Sequence, residues 1–128
     1  MADPLASTPF RTTLRTTKVL QGPFHPLSIT NLPSTPQSAF KTWYQEALDS
    51  DVREPHAMTL STVDTSGYPD GRVLILKNLD SRGWHFAIKA DSPKGQQLAN
   101  NPRCALTFYW PGMARQIRVR GDCGVSAG

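Results

Sequence analysis

The stretch RVLILK, residues 72–77, is the most apolar strand candidate in the chain and decides the predicted fold class. Its composition predicts a β-strand that is apolar enough to be buried on both faces. Turn-forming residues lie before it at 64–71 (DTSGYPDG) and after it at 78–83 (NLDSRG). The segments AMTLSTV at 57–63 and WHFAI at 84–88 predict the neighbouring strands. Three strands at this spacing indicate an antiparallel meander in a barrel or a sandwich.

Two helices are predicted, one on each side of this meander. The first covers about 36–50, where aromatic and apolar residues recur at helical spacing. Ser34, followed three residues later by Gln37, resembles a capping box for this helix. The second helix begins at Pro93, because Ser92 is a good N-cap and proline suits the first helical turn.

The remaining segments complete a single domain. Two further strands are predicted at 103–110, which is rich in aromatic residues, and at 115–120. The tail at 121–128 (GDCGVSAG) has the small residues of a turn. Residues 1–33 are rich in proline and threonine and predict a flexible arm that lies over the domain or a partner. The domain itself is therefore expected at 34–128.

Composition supports this assignment. The chain has 128 residues, enough for one domain with a moderate core, and 38% of them are hydrophobic. Eleven prolines and nine glycines imply short elements and frequent turns. The predicted fold class is therefore mainly β with short helices, an α+β chain.

Charge and cysteine content exclude several function classes. The net charge is +4, and the 14 basic residues form no run of Lys or Arg. This pattern favours a bound phosphate, which needs only a few cations, over nucleic acid as a partner. Cys104 and Cys123 form no C-x-x-C pair, and the three histidines have no metal-ligand spacing. The sequence has no membrane span and no secretory signal, so a cytoplasmic location is expected.

Motifs for catalysis by side chains are missing. There is no nucleophile elbow, no P-loop and no dinucleotide-binding glycine motif, and we assign no catalytic residue and no metal ligand. Glu54 and His56 are close in sequence, but Pro55 between them favours a loop before the strand. This absence is typical of a protein whose chemistry belongs to a cofactor.

The basic residues are more informative. Arg72 and Lys77 bracket the apolar strand, either as solvated strand ends or as anion ligands, although positions five apart in a regular strand face opposite sides. Ser92 and Lys94 open a helix, which makes either an ordinary cap or a phosphate cradle. Gln116 shares one strand face with two arginines, and an amide there suits either solvent or the edge of a flavin or pyrimidine-like ring.

Taken in order, several spaced segments of the chain carry a more specific signal. They are Glu54-Pro55-x-Ala57-Met58, Gly67-x-Pro69-x-x-Arg72-Val73-Leu74-x-Leu76-Lys77, Phe86, Ser92-x-Lys94, Asn101-Pro102, Phe108-Tyr109-Trp110 and Arg115-Gln116-Ile117-Arg118-Val119-x-Gly121. In this order they resemble the pyridoxamine 5′-phosphate oxidases and related FMN-binding split-barrel proteins. The resemblance covers about 36–121, most of the chain.

The resemblance implies an FMN-binding split β-barrel that forms a homodimer with FMN at the interface. It implies oxidation of pyridoxamine or pyridoxine 5′-phosphate to pyridoxal 5′-phosphate, a form of vitamin B6, with O₂ as the final acceptor. Arg72 and Lys94 would bind the FMN phosphate with support from Ser92, and Gln116 would reach the flavin from the partner subunit. Lys77 would also touch the phosphate of the substrate. The residues expected to run along the cofactor are Arg72, Val73, Leu74, Ile75, Leu76 and Lys77.

The chain also departs from the family pattern. Ala87-Ile88 stands where the family often has Tyr-Thr, and Pro93 replaces an arginine, so two FMN contacts are weakened. The later strands of the family, which carry its substrate motif, have no counterpart here, so the split barrel is expected to be incomplete and full catalysis is not expected. The alternatives are a non-catalytic flavin-binding or dimerising module and an anion- or nucleic-acid-binding β-barrel that uses Arg115, Arg118 and Arg120.

Overall fold

A four-stranded antiparallel sheet forms the centre of the structure, a computed structural model that describes residues 8–24, 26–28 and 30–125. The helices are α1 (Thr8–Thr16), α2 (Pro36–Asp49) and α3 (Pro93–Asn100), and a short 3-10 turn spans Pro111–Met113. The strands are β1 (Ala57–Val63), β2 (Pro69–Ile75), β3 (Asn78–Asp80), β4 (Gly83–His85), β5 (Arg103–Trp110) and β6 (Arg115–Asp122). The prediction of a mainly β fold with short helices is confirmed.

The strand order of the sheet is β2-β1-β5-β6, and every neighbouring pair is antiparallel. β1 pairs with β2 from Ala57 opposite Ile75 to Val63 opposite Pro69, which gives the predicted hairpin. The predicted third strand does not join this sheet. This strand, β4, is shorter than expected. It pairs with β3, which lies within the predicted turn at 78–83, so that β3 and β4 form a separate hairpin. The described part of the chain contains six strands, where the sequence predicts five.

The expectation that the RVLILK strand is buried on both faces is wrong. Val73 is 68% exposed, and no residue of β2 is fully buried. The reason is the place of β2 at the edge of the sheet, where only the inner face, on the side of α2 and α3, is covered. Leu74 and Leu76 pack against the core from that inner face. Apolar composition predicts that a strand is covered, but it does not show whether the same chain provides the covering residues on both faces.

The core lies between the inner face of the sheet and α2. Phe40 of α2 is 3% exposed, and its ring centroid lies 4.9 Å from that of Phe108 and 6.0 Å from that of Trp110. Each such aromatic pair contributes about 0.5–1.5 kcal/mol beyond the burial of its surface. The indole Nε1 of Trp110 donates a 2.9 Å hydrogen bond to the carbonyl of Pro55, which satisfies its buried polar atom. The predicted core role of the aromatic residues of α2 is therefore confirmed for Phe40.

Both predicted helices are present, but the cap of α2 differs from the prediction. Thr35, not Ser34, is the N-cap, and its Oγ1 accepts a 3.1 Å hydrogen bond from the backbone N–H of Ser38. Since Pro36 is the first helical residue, the capping side chain must belong to the residue directly before it. Ser92 caps α3 as predicted.

Two terminal segments contain more regular structure than the sequence predicts. The arm includes α1, a nine-residue helix whose Phe10 and Leu14 are 60% and 61% exposed. Farther along, Lys18 and Phe24 of the arm line an open cavity of about 630 Å³ together with Tyr109. At the other end, β6 continues through Asp122, so the first two residues of the predicted turn-like tail at 121–128 belong to a strand. Residues 123–125 have no regular structure, and 126–128 lie outside the described residues.

Candidate functional site

The guanidinium of Arg72 lies at a junction between β2, β1 and α3. Its Nη1 donates to the carbonyl of Leu60 at 3.0 Å and to Oγ1 of Thr62 at 2.8 Å. Its Nη2 donates to Oε1 of Gln97 at 3.3 Å and lies 3.1 Å from Oδ2 of Asp70. Because Arg72 shares the inner face of β2 with Leu74, its side chain is only 19% exposed. The side chain is thus fixed from several directions.

The beginning of α3 is held tightly by local contacts. Oγ of Ser92 accepts a 3.1 Å hydrogen bond from the N–H of Gly95, and its own hydroxyl donates to the carbonyl of Lys89 at 2.6 Å. The N–H of Gln96 donates to the carbonyl of Ser92. Pro93 has no N–H, so Lys94 has the only backbone donor of this first turn for which the described residues provide no partner. Ser92 therefore shapes the site as a cap, and its proton is already committed.

Gly95 allows the close approach that forms this corner. A Cβ at position 95 would lie 2.6 Å from the carbonyl oxygen of Ala90, and the carbonyl of Lys89 is also in the way. Any side chain here would push the start of α3 away from the loop at 89–90. The helix that carries Ser92 and Lys94 is consequently placed by a position that tolerates glycine alone.

Gln97 connects the two parts of the site. It lies on α3 about one turn after Lys94, and its amide contacts Arg72, Thr62 and Asp70. Three of the predicted phosphate ligands, Arg72, Ser92 and Lys94, therefore lie on two elements that are in direct contact.

Lys77 lies apart from this corner. It follows the end of β2, its side chain is exposed, and its N–H donates to the carbonyl of His85 at 2.8 Å. The concern that positions 72 and 77 face opposite sides of one strand is removed in part, because the regular strand ends at Ile75. Along β2 the side chains alternate, so Leu74 packs inward while Val73 points to the outer face.

Gln116 lies at the opposite edge of the sheet. It is exposed on the outer face of β6, directly opposite Tyr109. β1 and β5 separate β6 from β2, which corresponds to roughly 14 Å at the usual spacing between strands. Gln116 and the run at 72–77 are therefore not neighbours within one chain. Arg118 and Arg120 share the exposed face of Gln116, as predicted.

Arg115 does not belong to this exposed face. It is 8% exposed, and its Nη1 donates to Oε2 of Glu46 at 2.7 Å. The hypothesis of an anion-binding surface formed by Arg115, Arg118 and Arg120 is wrong for Arg115, because strand alternation turns it toward α2.

Three residues of the site were not predicted from the sequence: Thr62, Asp70 and Gln97. Asp70 and Arg72 are two apart on one strand, which places them on the same face and was a usable signal. The pKa of Asp70 is lowered first by the hydrogen bond from Gln97, then by the N–H of Gly71 and by Arg72. No sequence signal links Gln97 to Arg72, because 25 residues separate them and only the packing of α3 on the sheet brings them together.

Other site types find little support. Within the described ranges there is no cluster of three or more His, Cys, Asp or Glu side chains that could hold a metal ion. The helices described there are too short or too polar to cross a membrane. Cys104 and Cys123 are free thiols whose pKa values are raised by burial, which makes them poor nucleophiles at neutral pH.

Comparison with known proteins gives these contacts a family context. Residues 44–127 match the family model described as pyridoxamine 5′-phosphate oxidase, which is well over half of the chain. The chain belongs to the pyridoxamine 5′-phosphate oxidase family. A pyridoxine/pyridoxamine 5′-phosphate oxidase of Pseudomonas paraeruginosa is 49% identical over 98 residues, 75% of this chain and 46% of the relative. A protein of the same name from Ralstonia pickettii is 48% identical over 95 residues, 74% of this chain and 45% of the relative.

Solved structures agree with the family at the level of the fold. PhzG from Burkholderia lata 383, crystallised with tetrahydrophenazine-1-carboxylic acid, matches with a TM-score of 0.74 and 30% identity, over 79% of this chain and 51% of that one. A pyridoxamine 5′-phosphate oxidase-related, FMN-binding protein from Nostoc punctiforme matches with a TM-score of 0.59 and 22% identity, over 72% and 49%. The split-barrel class predicted from the sequence is thereby confirmed. The chain spans about half the length of the curated relatives it matches.

Proposed function

We propose that this chain binds FMN and that Arg72 and Lys94 hold the FMN phosphate. The contact between Arg72 and α3 carries the proposal, because it puts the guanidinium beside the helix whose first turn contains Lys94. Ser92 contributes by capping that helix. The family supports the choice of FMN over other phosphate ligands, since a structural relative is described as an FMN-binding protein.

The side chains present fit a phosphate group. Arg72 and Lys94 offer two positive charges, and the N–H of Lys94 offers a backbone donor at the positive end of a helix dipole. Four N–H donors of the Arg72 guanidinium have partners among the described residues. A phosphate oxygen would therefore accept from Nε–H of Arg72 or would take the place of Asp70 at Nη2. Ala87 and Pro93 add no polar side chain, so the phosphate would depend on fewer ligands than the family pattern has.

The flavin ring is proposed to lie along 72–77, and Gln116 of a second copy is proposed to complete its binding site. Their positions in one chain support this arrangement, because Arg72 lies on the inner face of β2 whereas Gln116 is exposed on the outer face of β6, at the opposite edge of the sheet. Val73 of β2 and Tyr109 of β5 are 68% and 60% exposed on the same outer face of the sheet, which supports a homodimer because a partner would cover that face.

The activity proposed for the complete family fold is oxidation of pyridoxamine or pyridoxine 5′-phosphate to pyridoxal 5′-phosphate. Bound FMN would accept the hydride equivalent and pass the electrons to O₂. In this chain Lys77 is exposed at the end of β2 and is proposed to contact the phosphate of the substrate. A cytoplasmic location is part of the same proposal.

FMN titration of the purified chain tests the proposal. We expect quenching of flavin fluorescence and a shift of the flavin absorbance bands on binding. Absence of both at high protein concentration would overturn it. Peroxide release with pyridoxine 5′-phosphate then separates an active oxidase from a flavin-binding module without catalysis, the remaining alternative. A nucleic-acid-binding function is not favoured, because the buried Arg115 is paired with Glu46 and leaves two arginines on the exposed face.

A further inference from the structure

Gln97 has its amide group oriented by three partners. Its Oε1 accepts hydrogen bonds from Oγ1 of Thr62 and from Nη2 of Arg72, and its Nε2 donates to Oδ2 of Asp70 at 3.2 Å. Rotation of the amide by half a turn would bring NH₂ against a guanidinium, which has no acceptor. The orientation of Gln97 is therefore determined by Arg72 and Asp70 together.

The same amide keeps Arg72 and Asp70 in a limited contact. Asp70 is 52% exposed and touches Arg72 through a single oxygen–nitrogen contact of 3.1 Å, and that oxygen also accepts from Gln97. A carboxylate beside an arginine otherwise favours a bidentate ion pair with two parallel hydrogen bonds, which would occupy the guanidinium and reduce its attraction for a phosphate. Thr62 is 1% exposed, and its hydroxyl accepts from Nη1 of Arg72 and donates to Oε1 of Gln97.

We propose that Gln97 is a positioning residue for Arg72, one that fixes the guanidinium toward the start of α3 and restrains Asp70 from neutralising it. Gln97 itself does not need to touch the cofactor. This inference rests on the proposed function, because it requires Arg72 to bind the FMN phosphate.

A comparison of FMN with riboflavin provides a readout specific for this role. Riboflavin has the same ring system but no phosphate, so a defect limited to Arg72 weakens FMN binding alone. We expect Gln97→Ala to raise the FMN Kd about tenfold, the scale of a hydrogen bond to a charged group. The riboflavin Kd should change by less than about twofold, as for a surface substitution. Fluorescence quenching measures both constants.

Two further variants make the experiment decisive. Gln96→Ala is the matched control, because the side-chain amide of the neighbouring Gln96 donates to the backbone carbonyl of Asp91 and its removal should leave both constants unchanged. Gln97→Glu keeps the acceptor for Arg72 but places a negative charge at the guanidinium, so it should reduce FMN binding at least as much as Gln97→Ala does. It also serves if Gln97→Ala does not fold.

The outcomes separate the inference from the proposed function. If the wild-type chain does not bind FMN, or binds it no better than riboflavin, the phosphate site fails and the role of Gln97 fails with it. If the wild type prefers FMN and both Gln97 variants keep that preference, only the role of Gln97 is overturned. Equal losses for FMN and riboflavin would likewise overturn it, since they indicate a general structural defect.

Discussion

The guanidinium of Arg115 lies 2.7 Å from the carboxylate of Glu46, and this ion pair joins the first residue of β6 to α2. The two side chains are 9% and 29% exposed, so the pair is largely removed from water. A buried pair of this kind adds little net stability compared with apolar residues, but removal of one partner weakens the compensation of the charge that stays behind. Arg115 is therefore a structural residue in a chain segment that also carries the exposed Gln116.

Replacement of Arg115 should destabilise the fold. We expect Arg115→Met to lower the free energy of unfolding by about 2–3 kcal/mol, because Glu46 loses a charged partner in a mostly buried place. Urea unfolding followed by circular dichroism measures the change. Arg118→Met is the control, because Arg118 is exposed on the same strand and its replacement should change the value by less than about 0.5 kcal/mol. Equal effects of the two variants would contradict the structural role.

Loss of either proposed phosphate ligand should weaken FMN binding. We expect Arg72→Ala and Lys94→Ala each to reduce the binding free energy by about 1–3 kcal/mol, the scale of a charge-assisted hydrogen bond. Fluorescence titration gives the Kd of each variant. Lys89→Ala, which removes an exposed charge from the loop before α3, should leave the Kd near that of the wild type. Unchanged affinity in both Arg72→Ala and Lys94→Ala would show that the phosphate binds elsewhere.

The close contact at Gly95 predicts a combined effect on stability and binding. We expect Gly95→Ala to cost about 1–3 kcal/mol of stability, because its Cβ would overlap the carbonyls of Lys89 and Ala90. Displacement of α3 should also weaken FMN binding. The same substitution at Gly121 meets no atom within 4 Å and should be nearly neutral for both properties. Thermal unfolding and FMN titration of the two variants decide the matter.

Stability at acidic pH should depend on Asp80 in the β3–β4 hairpin. Hydrogen bonds from Arg82 and then His85 lower the pKa of Asp80 well below its ordinary value of 3.8. Since the folded pKa is the lower one, this carboxylate stabilises the fold fully above about pH 4 and loses that effect as the pH falls further. We expect Asp80→Asn to be less stable than the wild type at neutral pH and to lose less stability on acidification. Parallel pH curves for the two proteins would contradict this assignment.

The exposed side chain of Val73 allows a test of the proposed dimer. We expect Val73→Glu to shift the chain toward a monomer in analytical ultracentrifugation, because a charge would be buried without a partner in the interface. Val125→Glu, in the fully exposed tail, should not change the association state. A wild-type chain that is monomeric at high concentration would contradict the dimer itself.

Local patterns predicted most of the elements. The alternation at 57–63 and the cap residue Ser92 were sufficient to predict β1 and the start of α3, because both depend on neighbours in sequence. The same patterns failed for the RVLILK strand, since its exposure depends on its place at the sheet edge. At Arg115, strand alternation correctly turns the side chain away from Arg118 and Arg120, but no local pattern identifies its partner Glu46, which is 69 residues away.

The candidate site divides in the same way. The residues proposed as ligands, Arg72, Lys94 and Gln116, could be selected from the sequence, because their charges and amide are properties of single residues in motifs of recognisable order. The contact of Arg72 with α3 through Gln97, and the place of Gln116 at the opposite edge, became visible in the folded arrangement alone. Strand order and helix packing arise from burial of the shared core, which is a collective property that no short stretch of sequence contains.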